Sequence, residues 1–280
     1  MTSPSHGMKS IEENDLFEYI NIIELSGITK GHKKEVTRAL ENYLNHINWK
    51  IDKHKSLLYF KKLQKQCSIA YYKKQMYQIK KFLKYIGEDW IKDIKLPPDP
   101  DYTPKRVTSK DIANTINYFE SDSNNIRYKS IILLGYDSGL RAEELYKLTT
   151  NDIDLENRTV YVRHDPKNNH STKTGKSRVS FLTTKTKDLL QIYINGKENG
   201  KTLFPQKTIE RGFKNSPIRV KDLRKAFSQE WTRRQGDTGI KKILMGHSLR
   251  NDVDLMHYNA QSEEDLKRIY DKIMNNSNCE

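Results

Sequence analysis

Cysteine is nearly absent from this chain of 280 residues, with Cys67 and Cys279 the two that occur. They make neither a disulfide framework nor a metal-ligand spacing, and such sparse use of thiols suits a reducing compartment. Long apolar runs are lacking too. The longest, Ile131 to Tyr136, is interrupted by Gly135 and falls far short of the ~18 apolar residues a membrane span needs, so it reads as a buried helical segment. The opening MTSPSHGMKS has no apolar core, so no export signal is expected and a cytoplasmic protein is. Acidic residues are also in short supply. Asp and Glu total 36 against 50 Lys and Arg, a formal charge of +14. That surplus points to a polyanionic partner, nucleic acid before any other. Hydrophobic residues make up 35% of the chain, which is low yet enough for a core at this length. Internal repeats and low-complexity tracts are absent.

Proline is concentrated in one place. Pro97, Pro98, Pro100 and Pro104 are four of the chain's eight. Proline fixes φ and disfavours helix in the residue before it, so residues 98–106 read as an extended linker, either lying along a DNA backbone or serving as a solvated hinge. Residues 1–97 read as a helical domain. Val36, Ala39, Leu40, Tyr43, Leu44 and Ile47 recur at threes and fours, as do Ala70, Met76, Ile79, Phe82, Leu83 and Ile86. Lysines crowd between these stripes from Lys50 to Lys84 with few acids among them, a composition that grips phosphates without reading bases. Tyr59, Phe60, Tyr71, Tyr72 and Tyr77 are expected in packing more than in base stacking. Residues 107–280 are mixed. Thr108 or Ser109 caps a helix, Arg127 to Asp137 is an apolar helix, and Arg158–His164 and Ser177–Leu182 read as paired strands around a polar loop. Helices are expected again over 184–193, 221–233 and 240–245.

Six residues of this second part carry chemistry: Arg141, Lys173, Lys221, Arg224, His247 and Tyr258, in the segments SGLRAEEL, TKTGKSRV, VKDLR, MGHS and MHYN. Two guanidiniums offer planar forks that match phosphate oxygens. Lys221 and Arg224, three apart on a helix, face the same way. A phenol has pKa ~10 and needs positive surroundings to ionise and attack.

In this order and spacing the segments resemble the catalytic domain of the tyrosine recombinases, or phage integrase family. The resemblance spans about residues 106–275, and the helical part before the linker resembles that family's core-binding domain. It implies a mainly α fold with a small antiparallel β-sheet (α+β), and an enzyme that cleaves and rejoins DNA through a 3′-phosphotyrosine. It assigns Arg141 and Arg224 to the scissile phosphate, Lys173 (or Lys176) to protonating the leaving 5′-oxygen, and Glu144 to buttressing the pocket. His247 would bind a nonbridging oxygen or orient the nucleophile, and Tyr258 would attack, Tyr270 being the weaker candidate because it lies in an apolar stripe. Lys221 departs from the commoner His and resembles archaeal viral and plasmid integrases; a lysine of ordinary pKa ~10.4 is a donor rather than a base. The bond energy is conserved in the phosphotyrosine, so no cofactor, ATP or metal is expected. The partners implied are double-stranded DNA and three further copies of the chain, as a homotetramer on two DNA sites. The capped amphipathic segment 262–274 would join neighbouring copies by packing in trans, with packing in cis its alternative. The role would be integration or excision of a mobile element, or dimer resolution, by an archaeal-type integrase or a Xer-like recombinase. The alternatives are a noncatalytic sequence-specific or architectural DNA-binding protein and a topoisomerase or resolvase of the same fold.

Overall fold

A computed structural model describes residues 9–165, 172, 175–248 and 261–275. The chain divides into two compact units, the first ending at Thr103 and the second beginning at Pro104.

In the first unit, β1 (Lys9–Ser10) pairs antiparallel with β2 (Lys50–Ile51), and four helices follow the sequence stripes: α1 (Glu13–Glu24), α2 (Lys30–His46), α3 (Lys53–Gln66) and α4 (Ile69–Tyr85). Three begin at side-chain caps. Thr29, Asp52 and Ser68 accept from the backbone N–H of His32, Lys55 and Tyr71, donors the first turn leaves unpaired. The core joins Leu40, Tyr43 and Leu44 of α2 to Met76, Ile79, Phe82 and Leu83 of α4, all fully buried. The Tyr43 hydroxyl, inside this core, shares a hydrogen bond of 2.7 Å with Ser56. Tyr59, Phe60 and Tyr72 are buried, whereas Tyr71 and Tyr77 are on the surface. Exposed lysines line α3 and α4, among them Lys53, Lys55, Lys61, Lys62, Lys65, Lys81 and Lys84.

The second unit is helical around one small sheet. Its helices are α5 (Ser109–Tyr118), α6 (Asn125–Ser138), α7 (Ala142–Lys147), α8 (Thr184–Ile194), α9 (Gln206–Gly212), α10 (Val220–Arg233), α11 (Thr238–Met245) and α12 (Glu263–Tyr270). The sheet is β3 (Ile153–Asp154), β4 (Thr159–Val162) and β5 (Arg178–Phe181), antiparallel in that order, with Val160 opposite Ser180. Thr108, not Ser109, caps α5, in a capping box with Asp111. The apolar helix α6 is the central post, with Ile131, Ile132 and Leu134 sealed from solvent. It lies close against α10 because residue 135 is glycine: a Cβ there would stand 2.8 Å from Leu223 Cδ1. The start of the unit is fastened to α10 as well. Gln229 donates to the Lys105 carbonyl (2.9 Å) and accepts from the Val107 N–H (2.8 Å), while Lys105 Nζ pairs with buried Asp222 at 3.2 Å.

The final helix corrects the expectation of packing in trans. Leu266, Tyr270 and Met274 are buried against Phe181, Phe227 and Trp231 of the same chain. Polar contacts fix the arrangement. The Tyr270 hydroxyl donates to the Asp137 carbonyl at 3.1 Å, and Arg158 grips Asp271 with two bonds of 2.7 and 2.6 Å. The apolar stripe is therefore used within its own domain. Among the described residues no helix is long and apolar enough to cross a membrane.

Candidate active site

The site is built around one buried carboxylate. Helix α6 ends at Gly139 in the left-handed conformation (φ 62°), a backbone state that glycine adopts without strain. The turn delivers Arg141 to the start of α7, one helical turn before Glu144. Arg141 donates to Glu144 through its backbone N–H (2.8 Å) and Nη1 (2.9 Å), and its Nη2 reaches the Gly246 carbonyl at 3.0 Å. Arg178, entering from β5, adds a bidentate pair of 3.0 and 2.6 Å and sends Nε to the Leu244 carbonyl at 2.9 Å. Glu144 thus accepts four N–H donors, the full capacity of an ionised carboxylate. Burial pushes its pKa up, but the bonds and charge of Arg178 and Arg141 outweigh this and hold it below the usual carboxylate range.

The cations outnumber that anion. Arg224, half-buried on α10, donates to the Gly139 carbonyl at 2.8 Å. Burial, then the charge of Arg141, lowers its pKa to about 10, with Glu144 opposing. A guanidinium so depressed stands in a site short of negative charge, which a phosphate would relieve. His247 follows Gly246, itself left-handed (φ 63°) at the end of α11. The His247 pKa is lowered by loss of hydration and then by Arg224, Arg141, Lys241 and Arg178, which favours the neutral imidazole. Gly246 is required on a second count: a Cβ there would lie 2.7 Å from Arg178 Cδ and 2.8 Å from its Nε.

Arg141, Arg224 and His247 are therefore close enough to feel one another's charge, with Glu144 bonded to Arg141. Lys221 is exposed, one turn ahead of Arg224 on α10, and among the described residues it has no ion-pair partner. Lys173 and Tyr258 lie outside the described residues. Lys176 is exposed. Tyr270 is fully buried, its hydroxyl is bonded to the Asp137 carbonyl, and burial raises the phenol well above 10, all of which count against it as a nucleophile. Arg178 was not singled out from the sequence. Its signal is a lone arginine opening an apolar strand, on the same strand face as fully buried Ser180. Among the described residues no cluster of three or more His, Cys, Asp or Glu is placed to hold a metal ion.

Residues 105–267 match the sequence profile of the phage integrase family. Tyrosine recombinase XerA of Saccharolobus solfataricus is 30% identical over 297 residues, covering 95% of this chain and 95% of that protein. Tyrosine recombinase XerA of Pyrococcus furiosus is 25% identical over 260 residues, covering 86% and 87%. A solved lambda integrase dimer bound to a COC′ core site shares the fold, with a TM-score of 0.68 at 13% identity over 90% of this chain and 98% of that one.

Proposed function

This chain belongs to the phage integrase family and is a tyrosine-type site-specific DNA recombinase, and from that premise we propose a residue-level mechanism and a biological setting. Arg141 and Arg224 hold the scissile phosphate. Tyr258 attacks it, its phenolic proton passing to water. The new P–O bond links Tyr258 to the 3′ end, the P–O5′ bond breaks, and the leaving oxygen takes its electron pair and a proton from Lys173. His247 and Lys221 stabilise the negative charge on the nonbridging oxygens. The observation that supports this reading is the proximity of Arg141, Arg224 and His247, Arg141 being bonded to Glu144 and to the Gly246 carbonyl.

The first unit, with its exposed lysines, holds duplex DNA as the core-binding domain, and the second is the catalytic domain. Four copies act on two DNA sites. Integration or excision of a mobile element, or dimer resolution, is the biological role, in the cytoplasm on nucleoid DNA. Lys221 in place of the commoner His supports an archaeal type of enzyme. A two-site plasmid assay tests the proposal. Strand exchange is expected in EDTA and without ATP, since the phosphotyrosine conserves the bond energy. Relaxation without exchange would indicate a topoisomerase, and a requirement for ATP or a divalent ion would refute the mechanism.

Lys221 provides a narrower test. Lys221→Ala is expected to slow cleavage ~10-fold or more while changing DNA affinity less than about threefold, because one contact among many is lost from the ground state. Equal losses in filter binding and in cleavage would make Lys221 a plain phosphate anchor.

A further inference from the structure

Two lysines that the mechanism above does not use meet on one buried carboxylate. Asp222 stands in the first turn of α10, between Lys221 and Arg224 in the chain, with its side chain 3% exposed. Val220 and Leu223 of the same turn are buried in the core, so the turn is fixed. Lys105 Nζ lies 3.2 Å from Asp222 Oδ2 and Lys225 Nζ 3.0 Å from Oδ1. Oδ2 also accepts from the Arg219 backbone N–H at 3.3 Å. Burial pushes the Asp222 pKa up, but the bonds of Lys225 and Lys105 outweigh this and hold it below the usual carboxylate range. Lys105 is held at both ends, its carbonyl by Gln229 at 2.9 Å and its ammonium by Asp222. Lys225 follows Lys221 by one helical turn, so the two share a face. The side chains of Lys105 and Lys225 nevertheless remain 51% and 37% exposed.

The geometry points to a second phosphate site: Lys105 and Lys225, set side by side on Asp222, take one phosphodiester of the DNA backbone other than the scissile one. The inference rests on the reading that Arg224 of the same helix holds the scissile phosphate. Two ammoniums against one carboxylate leave a positive charge uncompensated. Lys221 adds another beside them, with no ion-pair partner among the described residues. An ammonium has three donors, and the carboxylate occupies one on each lysine. A lysine that grips a phosphate from free solution must give up rotamer freedom, whereas these two have given it up already in the fold. A purely structural tie would need only Lys105, which fastens the start of the unit to α10. Lys225 is on the same helix as Asp222 and fastens nothing, so its placement serves the charge it presents.

The test uses the full chain and a duplex bearing the mapped cleavage site, with copies of that duplex in each of which one backbone phosphate is replaced by a neutral methylphosphonate. Affinity is followed against salt by filter binding. For the unaltered chain, one position other than the scissile phosphate is expected to cost roughly five- to tenfold at ~0.1 M salt and to lower the slope of log K against log salt by ~0.9, the worth of one phosphate. The double variant Lys105→Ala, Lys225→Ala should show the same loss on the natural duplex. On the duplex neutral at that position it should lose less than about twofold more, because both changes delete one contact. Asp222→Asn keeps both ammoniums and removes their anchor. Its salt slope should hold while the loss at that one position shrinks below about twofold, whereas a purely structural role would lower affinity at every position alike. Should Asp222→Asn unfold, the two lysine changes, both at exposed side chains, decide alone. The inference is wrong if the double variant multiplies the loss at every methylphosphonate position, if its slope falls by ~1.8 with two positions responding, or if it lowers Tm and leaves binding unchanged. Arg224→Ala is the control. Normal cleavage by that variant would remove the scissile-phosphate reading and this site as placed beside it; lost cleavage there, together with any of the failures above, sinks the inference alone.

Discussion

Tyr258→Phe should leave DNA binding unchanged and eliminate the covalent protein–DNA adduct on a nicked suicide substrate, a loss on the order of 10⁴-fold or more, since no neighbouring group replaces a missing nucleophile. The phenol must lose a proton whose ordinary pKa is ~10, which costs roughly 4 kcal/mol at pH 7. A cation within ~4–6 Å lowers such a value by ~1–3 units, and in the proposed mechanism Arg141 and Arg224 are the cations that do so. The matched control is Tyr270→Phe. Its hydroxyl is buried and donates to the Asp137 carbonyl at 3.1 Å, so the change costs about 1 kcal/mol of stability and leaves the adduct. An adduct surviving in Tyr258→Phe, seen by denaturing gel and by peptide mapping, would show that another residue attacks.

Arg178→Met should damage both the stability of the second unit and cleavage. It strips two donors from Glu144 and one from the Leu244 carbonyl, in a pair whose side chains are 8% and 6% exposed. Removing one partner of a buried ion pair costs ~3–5 kcal/mol, a fall in Tm on the order of 10 °C for a domain of this size. Cleavage should fall ~10²-fold in the folded fraction, because Arg141 loses the carboxylate geometry that orients it, and small displacements of a phosphate clamp are expensive. Arg178→Lys should recover little, since an ammonium cannot form the parallel fork. The pH dependence follows from the sign of the shift. The folded pKa of Glu144 lies below its ordinary value, so its stabilisation is complete above pH ~4.3 and is lost as pH falls through the folded value. In Arg178→Met the depression shrinks, and the acid limb of a Tm-against-pH curve should move to higher pH. A Tm within 2 °C of the unaltered chain, roughly 1 kcal/mol, would show that Arg178 is a bystander.

The sequence carried the helices better than the contacts. Stripes at threes and fours marked α2 and α4, and Arg141 and Arg224 could be named because their segments are local and ordered. β3 was missed because two residues, Ile153 and Asp154, leave no alternation to read. Arg178 was missed for a different reason. Its partner Glu144 is on helix α7, far away in the chain, and a bond made by tertiary packing leaves no period in the sequence. The closing helix shows the opposite failure. An apolar stripe states that a face is buried, not against which molecule, and Phe181, Phe227 and Trp231 supplied the partner from within.

Gln229 grasps main-chain atoms of residues 105 and 107, not their side chains. That clasp does not read side chains, although Lys105 is also held through buried Asp222 and Val107 through the core. Arg106, exposed between them, carries neither tie, so its charge can change while the helix bearing Lys221 and Arg224 keeps its setting.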